Sequence, residues 1–178
     1  YGGLYREVWL DVREQSYIED IFVTTPRPDT VHVEMKTQGS EHCRLCILEE
    51  DGTVLLTKEA AAPTDLYLPD AKLWSCDDPH RYILKCELLD DYGKVMDTQE
   101  VKFGIRTIEF KADGFYLNGE KFQIISGAIH YFRTLPQQWE DRLQKLKDCG
   151  LNTVETYCCW NLHEPKQGQF CFEGMLDV

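Results

Sequence analysis

Between Gln123 and Trp160 the apolar pattern switches from strand to helix and back to strand, an order that fits a parallel βαβ unit with a right-handed crossover. Gln123 to Arg133 reads as the first strand. The apolar pair Ile124-Ile125 is followed by small Ser126, Gly127 and Ala128, which suit a crowded interior, and by a polar-aromatic end at His130, Tyr131 and Arg133. Pro136 fits the first turn of a helix, where its missing N–H is not needed. Trp139, Leu143, Leu146 and Cys149 then form one helical stripe, with Asp141 and Lys145 paired on the outside and Gly150 ending the helix. Leu151 to Trp160 is the second strand.

Such a unit is the repeating element of a (β/α)8 barrel, whose catalytic residues come from the C-terminal ends of several strands. Alternation puts Leu151, Thr153, Glu155, Tyr157 and Cys159 on one face of the second strand, expected to be the lumen face. The chain leaves that strand through Asn161-Leu162-His163-Glu164-Pro165, which places polar and ionisable groups at the rim.

The run ISGAIHYFR, the helix WEDRLQKLKDCGLNTVETY and the exit WNLHEP resemble the start of the catalytic barrel of glycoside hydrolase family 35. That resemblance implies a retaining exo-hydrolase acting on terminal β-linked galactose, with no cofactor. It implies that Tyr157, in the TYxxWN segment, contacts the galactose through its phenol, which can both donate and accept. His130, Asn161 and Glu164 are the further candidate substrate-binding residues. Where the family usually has Val-Pro or Val-Asp, this chain has Cys158-Cys159.

Retaining glycosidases need two carboxyl groups about 5 Å apart, one nucleophile and one acid/base. The family carries these at the ends of its fourth and seventh strands, so no catalytic residue is expected in this chain. Glu155 and Glu164 invite assignment as that pair but are not expected to form it: Glu155 sits inside the strand end and reads as a lumen carboxylate needing a basic partner. Glu164 reads as a loop residue that shapes the rim or as a supporting group near substrate.

Upstream, short β-rich runs occupy Ile18 to Thr25, Thr30 to Thr37, Cys43 to Leu48, Val54 to Ala60, Arg81 to Leu89 and Val95 to Phe110. Asp51-Gly52 and Tyr92-Gly93 mark hairpin turns, and Thr25-Pro26 with Pro28-Asp29 marks a loop. Val31, Val33 and Met35 alternate with His32, Glu34 and Lys36. The expected fold is mainly β: an immunoglobulin-like antiparallel β-sandwich followed by a βαβ fragment of a TIM barrel. LWSCDDPHRYILKCELLD and the later FGIRTIEF resemble the corresponding sandwich of glycoside hydrolase family 2, and YGGLYREVWL resembles the last strand of that family's sugar-binding jelly roll. The expected division is therefore 1–12 jelly-roll tail, 13–110 sandwich and 111–178 barrel start, a piece of a larger enzyme that is inactive by itself. Family 2 also includes glucuronidases and mannosidases, so only the family 35 segment favours galactose.

The formal charge of −12 falls mostly on residues 1–104, with 11 basic and 21 acidic side chains, which argues against nucleic acid and anionic membrane as partners. There is no run of 18 apolar residues. The eight cysteines are irregularly spaced and lie within apolar runs, which favours free thiols in a reducing, cytoplasmic compartment. Cys43-x-x-Cys46 is a lone pair on opposite sides of a strand, and His130 and His163 lack any HExxH-like spacing, so no metal is expected. The open barrel surface offers a route to a homo-oligomer.

Two function classes stay open: a segment of a β-galactoside hydrolase, and a non-catalytic spacer or carbohydrate-contacting sandwich. An exposed aromatic row drawn from Tyr5, Trp9, Tyr67, Trp74 and Tyr82 would favour the second.

Overall fold

The computed structural model describes residues 12–178, which form two compact units. The expected jelly-roll tail over residues 1–12 lies outside the described residues apart from Val12. The first unit takes in residues up to Phe110 together with Tyr116–Glu120, and the second takes in Lys111–Phe115 and Lys121–Val178.

Among the described residues, seven strands build the sandwich of the first unit: β1 (Tyr17–Arg27), β2 (Thr30–Gln38), β3 (Cys43–Glu49), β4 (Val54–Ala60), β5 (Thr64–Tyr67), β6 (Tyr82–Leu89) and β7 (Val95–Phe103). They pair antiparallel as a three-stranded sheet β1-β2-β5 and a four-stranded sheet β4-β3-β6-β7, an immunoglobulin-like sandwich. Period-two patterning decides which side chains go inside. Val31 and Val33 of β2, Cys43, Leu45 and Ile47 of β3, and Leu84, Cys86 and Leu88 of β6 are all buried in one core. Gly52 and Gly93, both at positive φ, close the β3-β4 and β6-β7 turns. Asp51 and Asp90 accept the N–H groups of Thr53 and Tyr92 in those turns.

The structure differs from the sequence reading at three places in this unit. Pro26 lies inside β1 instead of in a loop, because β1 is an edge strand whose pairing with β2 is irregular between Thr24 and Arg27, where a missing N–H is tolerated. β5 is an additional strand, too short to show a period, anchored by buried Leu66. The run from Val95 to Phe110 is broken after Phe103. A Cβ at Gly104 would come within 3.0 Å of the Trp74 ring, and the Ile105 carbonyl accepts the Trp74 N–H, so this stretch packs on Trp74 before β8 (Ile108–Lys111) begins.

Tyr82, at the start of β6, is buried, and its hydroxyl accepts the Lys72 N–H at 2.7 Å. A buried tyrosine reaching back to upstream backbone is a recurring corner in such sandwiches. It removes Tyr82 from the aromatic row: Trp74 is half-buried beneath the Arg106 guanidinium, and of the described candidates only Tyr67 is exposed.

Strands β9 (Gly114–Leu117) and β10 (Glu120–Lys121) form a small sheet with β8. The second unit then contains β11 (Ser126–Ala128), helix α1 (Trp139–Asp148) and β12 (Thr153–Glu155), with β11 and β12 parallel, as a βαβ crossover requires. Both strands are shorter than the sequence pattern suggested. Ahead of them the Asn152 side chain supplements backbone bonds from Asn152 and Thr153 to the Ile125 carbonyl, with Oδ1 accepting the Ile125 N–H and Nδ2 donating to the Gln123 carbonyl, each at 2.9 Å. Beyond them the chain turns into 3₁₀ structure at Tyr131–Arg133 and into the short helix α2 (Trp160–His163).

Pro136 opens a 3₁₀ turn that leads into α1. Gly150, at φ +82°, ends α1 with its N–H on Lys147 O while Leu151 N–H reaches Leu146 O, the paired bonds of a Schellman cap. Gly127 is small for a reason different from lumen crowding. A Cβ there would lie 2.5 Å from Leu146 Cδ2, so the crossover helix sits directly on the strand.

Candidate functional site

The C-terminal ends of β11 and β12 converge on one cluster of side chains. His130 follows β11, and its ring stacks on Tyr157, with centroids 4.5 Å apart and planes 14° from parallel. Phe132 stacks on His130 at 5.6 Å and 17°. The Tyr157 N–H points to His130 Nδ1 at 3.4 Å, so ring stacking and backbone contact act on the same pair. Tyr157 itself is 64 % exposed and Trp160, at the start of α2, is 68 % exposed. Two aromatic side chains therefore face solvent at a strand exit, one with a phenol that can donate and accept.

Beneath this rim lies a buried polar pair. Tyr131 Oη meets His163 Nε2 at 2.5 Å, Cys159 N–H donates to Tyr131 Oη at 3.2 Å, and His163 Nδ1 lies 3.0 Å from the Cys171 carbonyl. An apolar cavity of about 320 Å³ adjoins it, lined in part by Tyr131, Thr156, Cys158, His163 and Phe172.

The sequence-predicted residues are placed as follows. His130 and Tyr157 are brought into contact. Asn161 is exposed in α2. The Glu164 carboxylate accepts the Gly168 N–H at 2.7 Å and organises the turn that follows α2. Glu155, at the end of β12, is exposed and forms no ion pair among the described residues; its carbonyl accepts the Ile129 N–H. Sequence reasoning placed Tyr131 in the polar-aromatic strand end and His163 among the rim groups, without metal-like spacing, but gave neither a role in the site. The available signal was His130-Tyr131-Phe132 directly after a small-residue strand, facing a second histidine on the neighbouring strand's exit. Among the described residues, no group of three or more His, Cys, Asp or Glu side chains is placed to hold a metal ion.

Residues 16–106, just over half of the chain, match Glycosyl hydrolases family 2. The chain belongs to that family. Residues 114–178 match Glycosyl hydrolases family 35, so a family 2 match is followed along this chain by a match to a second family. Human beta-galactosidase-1-like protein 3 is 59 % identical over 64 residues, covering 36 % of this chain and 10 % of its own length. Beta-galactosidase 17 of Arabidopsis thaliana is 50 % identical over 80 residues, covering 45 % of this chain and 12 % of its own length. The chain thus spans about a tenth of the length of these curated relatives. Among solved structures, the beta-glucuronidase of Bifidobacterium dentium, complexed with coumarin-3-O-glucuronide, aligns with a TM-score of 0.70 at 26 % identity, over 79 % of this chain and 27 % of that one. No helix among the described residues is long and apolar enough to cross a membrane.

Proposed function

We propose that this chain is part of a retaining exo-glycosidase that hydrolyses terminal β-D-galactosides, with residues 13–110 as the sandwich and 111–178 as the opening of the catalytic barrel. The observation that carries the reading is Tyr157: an exposed phenol held on His130 at the C-terminal end of a barrel strand, inside the segment that matches family 35. In this role the phenol hydrogen-bonds galactose hydroxyls, and Asn161 and Glu164 border the same rim. The nucleophile and the acid/base carboxyl come from other strand ends of the barrel, since a retaining reaction needs a pair about 5 Å apart and Glu164 is engaged with the Gly168 N–H.

Galactose is favoured over glucuronic acid by two relatives named for beta-galactosidase, 50 and 59 % identical over 80 and 64 residues, whereas the glucuronidase is 26 % identical over a longer stretch, 79 % of this chain. The carbohydrate-contacting sandwich reading depends on an exposed aromatic row, which buried Tyr82 and half-buried Trp74 do not supply. The test is nitrophenol release from nitrophenyl β-galactoside and β-glucuronide by a form of the protein extended past Val178 through the remaining barrel strands. Galactoside cleavage reduced by Tyr157→Phe supports the reading. Preference for the glucuronide, or cleavage indifferent to Tyr157→Phe, overturns it. The 178-residue chain alone is expected to release nothing.

A further inference from the structure

We infer that Tyr131 and His163 are positioning residues for Tyr157: they form a buried hydrogen-bonded clamp that fixes the exit of β12 and so aims the phenol. The inference rests on the reading that Tyr157 contacts the sugar. Its basis is an inversion of the usual pattern of burial. In the second unit the apolar side chains of α1, β11 and β12 remain at least partly exposed, whereas Tyr131 and His163 are buried at 5 % and 7 % exposure. Burying such groups is costly unless their polar atoms are satisfied.

They are satisfied in a single directed chain. The Cys171 carbonyl can only accept, so His163 Nδ1 carries the proton in the neutral ring and Nε2 is the acceptor. The Tyr131 hydroxyl therefore donates to Nε2, which leaves its oxygen free to accept the Cys159 N–H. Backbone bonds reinforce the same knot, with His163 N–H on Cys159 O at 3.1 Å and Cys171 N–H on His163 O at 2.8 Å. Adjacent residues thus capture alternate backbone N–H groups of the β12 exit, His130 taking that of Tyr157 and Tyr131 taking that of Cys159. With His130 also stacked on the Tyr157 ring, the phenol is oriented by contacts that leave its outer side open.

Tyr131→Phe keeps the ring but removes the oxygen that links the Cys159 N–H to the His163 ring, leaving the backbone bond from His163 N–H to Cys159 O in place. In ¹⁵N-labelled 178-residue chain, the wild-type His163 ring is expected to carry its proton on Nδ1, at a pH where the imidazole is neutral. The Cys159 amide is expected to exchange slowly, and Tyr131→Phe should speed that exchange and shift the Tyr157 amide. A proton on Nε2 in the wild type overturns the clamp even if the variant does not fold, as does Cys159 exchange equally fast in both proteins. In the barrel-complete form, Tyr131→Phe is expected to lower kcat/KM for nitrophenyl β-galactoside roughly tenfold, and to lower it no further when added to Tyr157→Phe. Additive losses would make Tyr131 a general stabiliser and sink its positioning role. Full activity in Tyr157→Phe would instead remove the sugar-contact reading, and with it the purpose of the clamp, while tautomer and exchange still report whether the clamp exists.

Discussion

The sandwich and the βαβ unit use similar proportions of apolar residues in opposite ways. In the sandwich, Leu45, Ile47, Leu66, Leu84 and Leu88 are all fully buried, because two antiparallel sheets each cover the other's inner face. In the βαβ unit, Ile124, Ile125, Leu143 and Val154 are exposed, and α1 has no buried residue. A parallel strand pair with one crossover helix covers one sheet face at most, whereas parallel sheets need cover on both. The lesson is that strand patterning states a demand for burial, and topology decides whether the described residues can meet it.

The largest expected effect separates the units by thiol chemistry. Burial pushes the Cys86 thiol up to about 12, so at pH 8 its thiolate fraction lies about a thousandfold below that of an ordinary thiol. Cys149 and Cys158 are exposed. Iodoacetamide should therefore modify Cys149 and Cys158 in the native protein while sparing Cys86 until unfolding, with modified sites read by mass spectrometry. Modification of Cys86 at a similar rate would mean that the sandwich core opens as readily as the βαβ surface.

Next in size is the cost of losing one leucine. Leu84→Ala removes a fully buried side chain, and should cost about 2–5 kcal/mol in urea unfolding. Leu143→Ala, at 43 % exposure, should change stability by no more than about 0.5 kcal/mol. Equal costs would break the comparison by showing that Leu143 is covered in solution. Gly127→Val sharpens it from the other side. Its Cβ would overlap Leu146, at an expected cost of about 1–3 kcal/mol. That loss should appear as faster hydrogen exchange in α1 with the sandwich strands unchanged; loss of protection across both units would instead show that they unfold together.

The same contrast explains what could be read from the sequence. Strands β2, β3 and β6 were legible because one face is buried, and Val31-x-Val33 and Leu84-x-Cys86-x-Leu88 display the period directly. β5 was not, since four residues are too few to establish a period, and the break after Phe103 depends on Trp74, distant in sequence. In the βαβ unit the helix and its glycine stop were visible from local signals, but the strand ends were not. Asn152 imitates strand pairing with its side chain, and the 3₁₀ turn at Tyr131 is held by contacts with the β12 exit. Tyr157 stood out through a motif, whereas the Tyr131–His163 pair depends on two residues that only the fold brings together.

The smallest expected effect concerns the outer face of the sandwich, which should resemble the βαβ surface in contributing little. Arg44 lies opposite both Glu59 and Glu87 in the strand register and bridges them at 2.8 and 3.1 Å. The Glu87 carboxyl is held below its ordinary value of 4.5, first by its hydrogen bond from Lys85 and also by that from Arg44. Glu59 is likewise lowered, chiefly by Arg44. A carboxyl whose folded value is depressed stabilises the fold above its unfolded value and loses that contribution as pH falls through the folded one. The urea midpoint of the sandwich should therefore decline as pH drops below about 4.5, and the decline should be shallower in Arg44→Met, which keeps the aliphatic stem but not the charge. Pairs on the outer face are weak and screened by salt, the open Arg44–Glu59 pair more than the part-buried Arg44–Glu87 pair, so the difference between the two proteins should shrink further in high salt. Identical acid profiles would assign the acid sensitivity to other carboxylates and leave the Leu84 core as the source of the sandwich's advantage. A difference as large as that of Leu84→Ala would instead mean that the charged face couples to the core beneath it.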